Sequence, residues 1–358
     1  MSMRRAPLVL LLGLAVGACA EPEPPSTVTE PPPAAAGGAE GEEVHLRNLR
    51  QLTFGGQNAE AYYAFDGSRL IFQTTREGVP CDQIYTMELD GTDARMVSTG
   101  DGRTTCGYFM PDGDAIVYAS THLGGAGCPP EPGFEMGYVW PVYDTYDIFR
   151  ANPDGSGLTR ITETEGYDAE ATVGPDGRIV FTSVRDGDME IYSMNADGSD
   201  VQRLTDSPGP DGGPFFSPDG TKIVFRARAI EPGEELDDYR RLLGEGLWRP
   251  TSLEIFVMDA DGGNRRQVTS LGGASFAPFF HPDGERIIFS SNWHNSDGRD
   301  FDLFMINEDG SGLERITFNE TFDGFPMFSP DGGQLVFASN RSARVEGDTN
   351  VFIADWVE

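Results

Sequence analysis

The sequence predicts an all-β chain, a six-bladed β-propeller with four-stranded blades, and three observations carry that expectation. An Asp-Gly turn recurs six times, as FDG at 65–67 and as PDG ending at Gly113, Gly177, Gly220, Gly284 and Gly332, each followed by an apolar strand-like run. In five copies a second turn follows another strand: ELDGT (88–92), NPDGS (152–156), NADGS (195–199), DADGG (259–263) and NEDGS (307–311). The two ends complement each other, because the sixth copy stops at NVFIADWVE without an outer strand while RNLRQLT (47–53) stands before the first copy like a detached one. Four strands per repeat define a propeller blade, and an N-terminal strand that completes the last blade removes exposed sheet edges.

The N-terminus opens MSMRRAPLVLLLGLAVGACA, where Arg4 and Arg5 precede an apolar run at 8–16 that is too short for a permanent membrane span. Residues 1–18 therefore read as an export signal. Val16-Gly17-Ala18-Cys19 resembles a bacterial lipobox, which makes Cys19 the lipidated first residue, and Ala20 after it favours the outer membrane, facing the periplasm. Residues 19–44 are proline-rich and acidic with almost no large apolar groups, a composition that cannot bury enough surface to fold and reads as a tether. The propeller is assigned to 45–358.

Within a blade, PFFSPDGTKIVF (214–225) shows the local logic. Pro218 presets φ, Asp219 follows, and Gly220 supplies a left-handed conformation, so the flanking runs form a β-hairpin. Asp219 has counterparts at Asp66, Asp112, Asp176, Asp283 and Asp331, one per copy. A residue type present in every copy is explained by blade architecture. Chemistry is expected where the copies differ.

The differences lie on the face opposite these turns. With the strands of a blade named a to d outward from the channel, blade 2 carries an insertion between b and c at 121–146 and blade 4 another at 229–252. The first holds Phe134, Tyr138, Trp140, Tyr143 and Tyr146 among prolines and glycines, suited either to a contact surface or to packing on its own blade. The second places Leu236, Tyr239, Leu242, Leu243 and Leu247 at near-helical spacing between Pro232 and Gly244, which predicts a short amphipathic helix packed on the propeller.

At the start of each blade stand Asn58, Thr104, Asp168, Asp211, Ser275 and Asp323, and two positions later Glu60 and Glu170 break the symmetry against Cys106, Gly213, Ala277 and Phe325. This acidic channel mouth is suited to a basic segment of a partner, or to Ca²⁺ or another divalent cation with Glu60 and Glu170 as weak ligand candidates. No cofactor is otherwise expected. After strand b, Arg76, Arg185 and Arg341 are expected to pair with the acid before strand c, such as Asp82 or Asp188, while His122, Trp293, Arg226 and Arg228 depart from that pattern and, with Trp140, complete the binding candidates. His122 and His294 fall in opposite blades, which argues against a shared histidine metal site. Cys81, Cys106 and Cys128 map to the same face, so a disulfide among them is expected without a choice of pair.

The formal charge of −32, or −34 after Arg4 and Arg5 leave with the signal, excludes nucleic acid and anionic membrane as charge-driven partners, leaving the lipid anchor as the membrane contact. The SPDG repeats resemble the PD40, or WD40-like, repeats of the TolB family over residues 46–358. That resemblance implies a six-bladed propeller. TolB itself carries an α/β domain before its propeller, whereas a linker precedes the first blade here, so Pal binding extends to this chain by analogy only. PD40 propellers also cover the active site of prolyl-oligopeptidase-like peptidases, but no G-x-S-x-G elbow is present, which rejects serine hydrolysis. The resulting expectation is a monomeric, non-catalytic envelope protein that binds a protein or glycan through its loop face. The alternative is a metal-assisted lyase or hydrolase acting on carbohydrate at the channel mouth.

Overall fold

The computed structural model describes residues 41–358 apart from 77, 134, 296 and 297. The export signal, Cys19, the tether up to residue 40 and Phe134 lie outside the described residues. Among the described residues no helix is long and apolar enough to cross a membrane.

Six antiparallel sheets of four strands form the six blades. Their innermost strands are Asn58–Tyr63, Thr104–Phe109, Asp168–Val173, Asp211–Phe216, Ser275–Phe280 and Asp323–Phe328. The closing strand Leu46–Gln51 pairs antiparallel with Asn350–Trp356 and supplies the outer strand of blade 6, as expected. Glu43 extends this anchorage, its two oxygens each accepting a 2.9 Å hydrogen bond from Arg341.

Each blade is held by the same cross-strand pair. The third apolar residue of strand b, which is Phe72, Tyr118, Phe181, Phe225, Phe289 or Phe337, is fully buried. Opposite each stands an aromatic of strand c: Tyr85, Phe149, Tyr192, Phe256, Phe304 and Phe352. Ring centroids lie 5.8–6.3 Å apart, and each pair adds about 0.5–1.5 kcal/mol beyond its buried area.

The Val-Ser, Val-Thr, Ile-Thr and Leu-Thr dipeptides after the outer strands act as latches. The hydroxyls of Ser98, Thr162, Thr205, Thr269, Thr317 and Thr53 each accept the amide of the second residue of strand c, or its equivalent, at 2.8–3.0 Å. The outer strands themselves are only two residues long in blades 1 to 5.

The repeated turn aspartate has the structural role its repetition implies. Asp219 Oδ1 accepts hydrogen bonds from the Ser217 hydroxyl (2.6 Å) and from the Thr221 amide and hydroxyl (3.0 and 2.8 Å). These bonds hold its carboxyl down at about 2. Gly220 follows with φ +71°.

Every inner strand also carries a β-bulge at one place, with registers shifting between 59 and 62, 105 and 108, 169 and 172, 212 and 215, 276 and 279, and 324 and 327. The residue that heads each bulge is left-handed: Glu60 (φ 51°), Cys106 (51°), Glu170 (56°), Gly213 (58°), Ala277 (49°) and Phe325 (54°). Five of the six are not glycine, so this strain, on the order of 1 kcal/mol per residue, is a built feature that aims these positions at the channel.

Candidate functional site

The channel is not a through pore. Within it Tyr62 of blade 1 meets Phe215 of blade 4 with ring centroids 5.4 Å apart, Tyr108 joins Tyr62 at 5.5 Å and Phe279 joins Phe215 at 5.6 Å. This aromatic plug divides the channel into two chambers of different chemistry.

The chamber on the turn face is an apolar funnel of about 190 Å³ to which all six blades contribute. Its wall includes Tyr63, Phe65, Val173, Phe216, Phe280 and Phe328, and its rim is made by the prolines of the turns, Pro175, Pro218, Pro282 and Pro330. Phe65 and Phe216 are half-buried, and Pro175, Pro218 and Pro330 are exposed. Among the described residues no charged side chain lines it.

The chamber on the loop face, about 100 Å³, collects Glu60, Glu170, Arg226 and Trp140, four of the residues singled out from the sequence, with Cys106, Phe276 and Phe325. Its roof comes from the two insertions, which pair with each other: Trp140–Pro141 of blade 2 lies antiparallel to Leu247–Trp248 of blade 4, with Trp140 opposite Trp248. Helix Glu234–Gly244 forms in the second insertion and buries Leu236, Tyr239 and Leu242 against the propeller, as its spacing predicts.

Glu170 is not a free acid. It accepts hydrogen bonds from Arg226 (2.6 Å), the Thr182 hydroxyl (2.6 Å) and the Gly213 amide (2.9 Å). Burial alone would raise its carboxyl, but Arg226 and these donors outweigh burial and hold it below its ordinary value. Arg226 is 5% exposed and lies 5.5 Å over the Trp248 ring. Glu60 differs, since among the described residues its hydrogen bonds come from Cys106 alone, including the amide at 3.1 Å. Burial, with Glu170 nearby, pushes its carboxyl up to about 7. Burial also lifts the Cys106 thiol well above its ordinary range, so it is a neutral group and not a nucleophile.

A common device underlies these contacts. The amide heading the bulge of one blade is taken by a side chain of the preceding blade: Cys106 by Glu60 and Gln73, Gly213 by Glu170 and Thr182, Phe325 by Ser290. Gln73, Thr182 and Ser290 occupy one equivalent position, next to last in strand b, which aligning the six copies position by position would have revealed.

The three mouth aspartates are corrected by the structure. Asp168, Asp211 and Asp323 are 1%, 1% and 0% exposed, and each is closed by an arginine. Arg185 donates to Asp168 at 2.8 Å, Arg265 donates to Asp211 twice at 2.8 Å, and Arg341 donates to Asp323 at 2.5 Å. Each pair lies within one blade, and burial with an arginine partner keeps these carboxylates away from a partner or cation. The expected arginine partners also change, since Asp82 pairs with Arg103 and Asp188 accepts the Tyr239 hydroxyl.

Arg228 pairs with Glu235 on the helix. His122 shares a 2.9 Å hydrogen bond with Ser120 and packs 4.5 Å from Phe149. Trp293 is half-buried at 6.0 Å from Phe304. None of these three is among the residues lining either chamber. His294 instead forms a group with Asp300 and Asp302, whose donor atoms lie within 4.8 Å of one another, although Asp302 is also paired with Arg315. The disulfide joins Cys81 to Cys128, tying the blade 1 loop to the blade 2 insertion, and Cys106 is a buried free thiol.

These features define a closed-ring, six-bladed propeller with a plugged channel. The chain belongs to the PD40 family, whose model, described as the TolB beta propeller domain, matches residues 139–232 and 247–355. Among solved structures it is similar to a putative TolB from Agrobacterium tumefaciens, at TM-score 0.54 and 19% identity over 85% of this chain and 91% of that one. It also resembles TolB from Acinetobacter baumannii, at 0.54 and 18% over 84% of this chain, which spans 64% of that protein's length. A gluconolactonase from Xanthomonas campestris matches at 0.56 and 15%, covering 87% and 91%. Comparison with curated protein sequences gives no match.

Proposed function

We propose that this chain is a non-catalytic binding propeller of the cell envelope that holds an apolar segment of a partner protein in its turn-face funnel. The observation that carries this reading is the funnel itself: an open, uncharged, aromatic and proline-lined mouth built by all six blades above a solid plug. The loop face, where the sequence directs attention, supports contact less well. Its two insertions are engaged with each other, and Asp168, Glu170, Asp211 and Asp323 are engaged with arginines, which leaves Glu60. The export signal and lipobox read from residues 1–19 support an envelope location with a lipid anchor at Cys19.

The test is capture of partners from native envelopes by wild-type protein, by Phe65→Glu/Phe216→Glu, and by Leu123→Ser/Tyr138→Ser on the loop face. Loss of a captured protein in the first variant alone supports the funnel. Loss in the second alone, or binding of glycan without protein, overturns it. The alternative, a metal-assisted carbohydrate lyase or hydrolase, draws on one observation, the His294, Asp300 and Asp302 group. Stoichiometric metal in the purified protein that is lost in Asp300→Asn would favour that reading.

A further inference from the structure

The loop-face chamber is separate from the funnel, and its walls and charges are not those of a water-filled gap. Phe276 stands steeply inclined to Trp140 (82°, centroids 6.3 Å apart) and to Phe325 (66°, 5.4 Å apart), so three rings form adjoining walls of a small box. Tyr62 and Phe215 of the plug close the floor. The charged lining groups are Glu60, Glu170 and Arg226, and since Arg226 is neutralised by Glu170, ionised Glu60 leaves the box one negative charge in excess. We infer that this chamber binds the cationic head of a small organic amine, an alkylammonium or quaternary ammonium group, with Glu60 as counter-charge and Trp140, Phe276 and Phe325 as its aromatic walls.

Three physical arguments favour that class over others. Aromatic rings attract a cation through their quadrupole, tryptophan most strongly, and steeply inclined walls let several act at once. A bare divalent cation instead requires about six oxygen ligands, whereas the oxygens of Glu170 are occupied and Glu60 is the other carboxylate in the lining. A cavity of about 100 Å³ holds a single ammonium head, not a polysaccharide segment. Around Glu60, the titratable and charged groups are the neutral Cys106 thiol, the Tyr62 hydroxyl, which burial keeps protonated, the Glu170–Arg226 pair and Asp82, which adds to the negative field, so among the described residues no cation besides the neutralised Arg226 lines the chamber.

This inference stands apart from the proposed partner site, and its test reads a different chamber. Calorimetric titration of the whole purified protein at about pH 8 compares choline, tetramethylammonium and the uncharged isostere 3,3-dimethyl-1-butanol. A lysine-containing peptide is added as a further arm, to distinguish a free amine from a partner's side chain. Choline or the peptide should saturate one site, with the isostere at least about tenfold weaker. Glu60→Gln should erase that preference while the protein still melts cooperatively. Equal binding of the isostere to wild type, or no saturable binding of any of the three cations, overturns the inference without touching the funnel.

Discussion

Arg226 and Glu170 reach across from blade 4 to blade 3, and neither tolerates being left alone. Arg226 is buried and Glu170 is mostly buried in the channel wall, and removing one partner of such a pair strands an uncompensated charge at a cost of about 3–5 kcal/mol. Denaturant unfolding of Arg226→Met should show a loss of that size, and the double variant Glu170→Met/Arg226→Met should recover most of it. At this scale the sequence drew attention to residues that share one chamber, without showing how they are paired. Glu60, Glu170 and Arg226 stand out because the copies disagree there. Yet an acid's partner lies 56 residues away on the next blade, and no local pattern announces such a contact. Asp168, Asp211 and Asp323 misled because an aspartate facing solvent and one closed by an arginine of its own blade look alike in sequence.

Among elements, the bulge explains why blade 4 alone has glycine at its head. A Cβ on Gly213 would lie 2.2 Å from Arg226 Nη1, and that guanidinium is pinned by Glu170 and cannot swing away. Ala277, the equivalent residue of blade 5, shows that alanine accepts the same backbone conformation where no arginine intrudes. Gly213→Ala should therefore destabilise by about 1–3 kcal/mol in thermal or denaturant melts, and by much less when Arg226 is also replaced by methionine. The turns and strands were legible because glycine, proline and alternating apolar residues act locally. The bulges were not, because left-handed φ at glutamate, cysteine and phenylalanine follows from channel geometry and not from residue preference. The pairing of the two insertions was equally hidden, since Trp140 and Trp248 meet only after the propeller closes. The Cys81–Cys128 bond fixes the first insertion to blade 1 across 47 residues. Replacing both cysteines by serine should lower stability by about 2–4 kcal/mol. Under non-reducing conditions, among Cys81, Cys106 and Cys128, a thiol reagent should label Cys106 alone, and only after unfolding.

For the whole molecule, protonation links the site to stability. Burial raises Glu60 and Asp302 to about 7 and Asp211 to about 8, so the folded chain holds protons there that the unfolded chain has released. Their contribution is fully present below the unfolded carboxylate range near 4 and is lost as pH rises through 7 to 8. The turn aspartates act oppositely: hydrogen bonds hold Asp219 at about 2, and lower Asp331 in the same way, so their contribution is present above about 4 and is lost as pH falls toward 2. Stability should peak near pH 4 and decline from there to about pH 8, and Glu60→Gln should flatten that decline in calorimetric melts. Closure by Leu46–Gln51 was readable at this scale because two incomplete ends of one repeat can only belong together. The funnel was not, since it is made of the repeated residues that symmetry marks as architecture, and it becomes a surface only when six copies surround an axis. Its role is tested most directly by placing a photo-cross-linking phenylalanine analogue at position 65, in the funnel, and at position 138, on the loop face, in living cells. The account predicts a discrete protein adduct from position 65 and none from position 138, and an adduct from position 138 alone would contradict it.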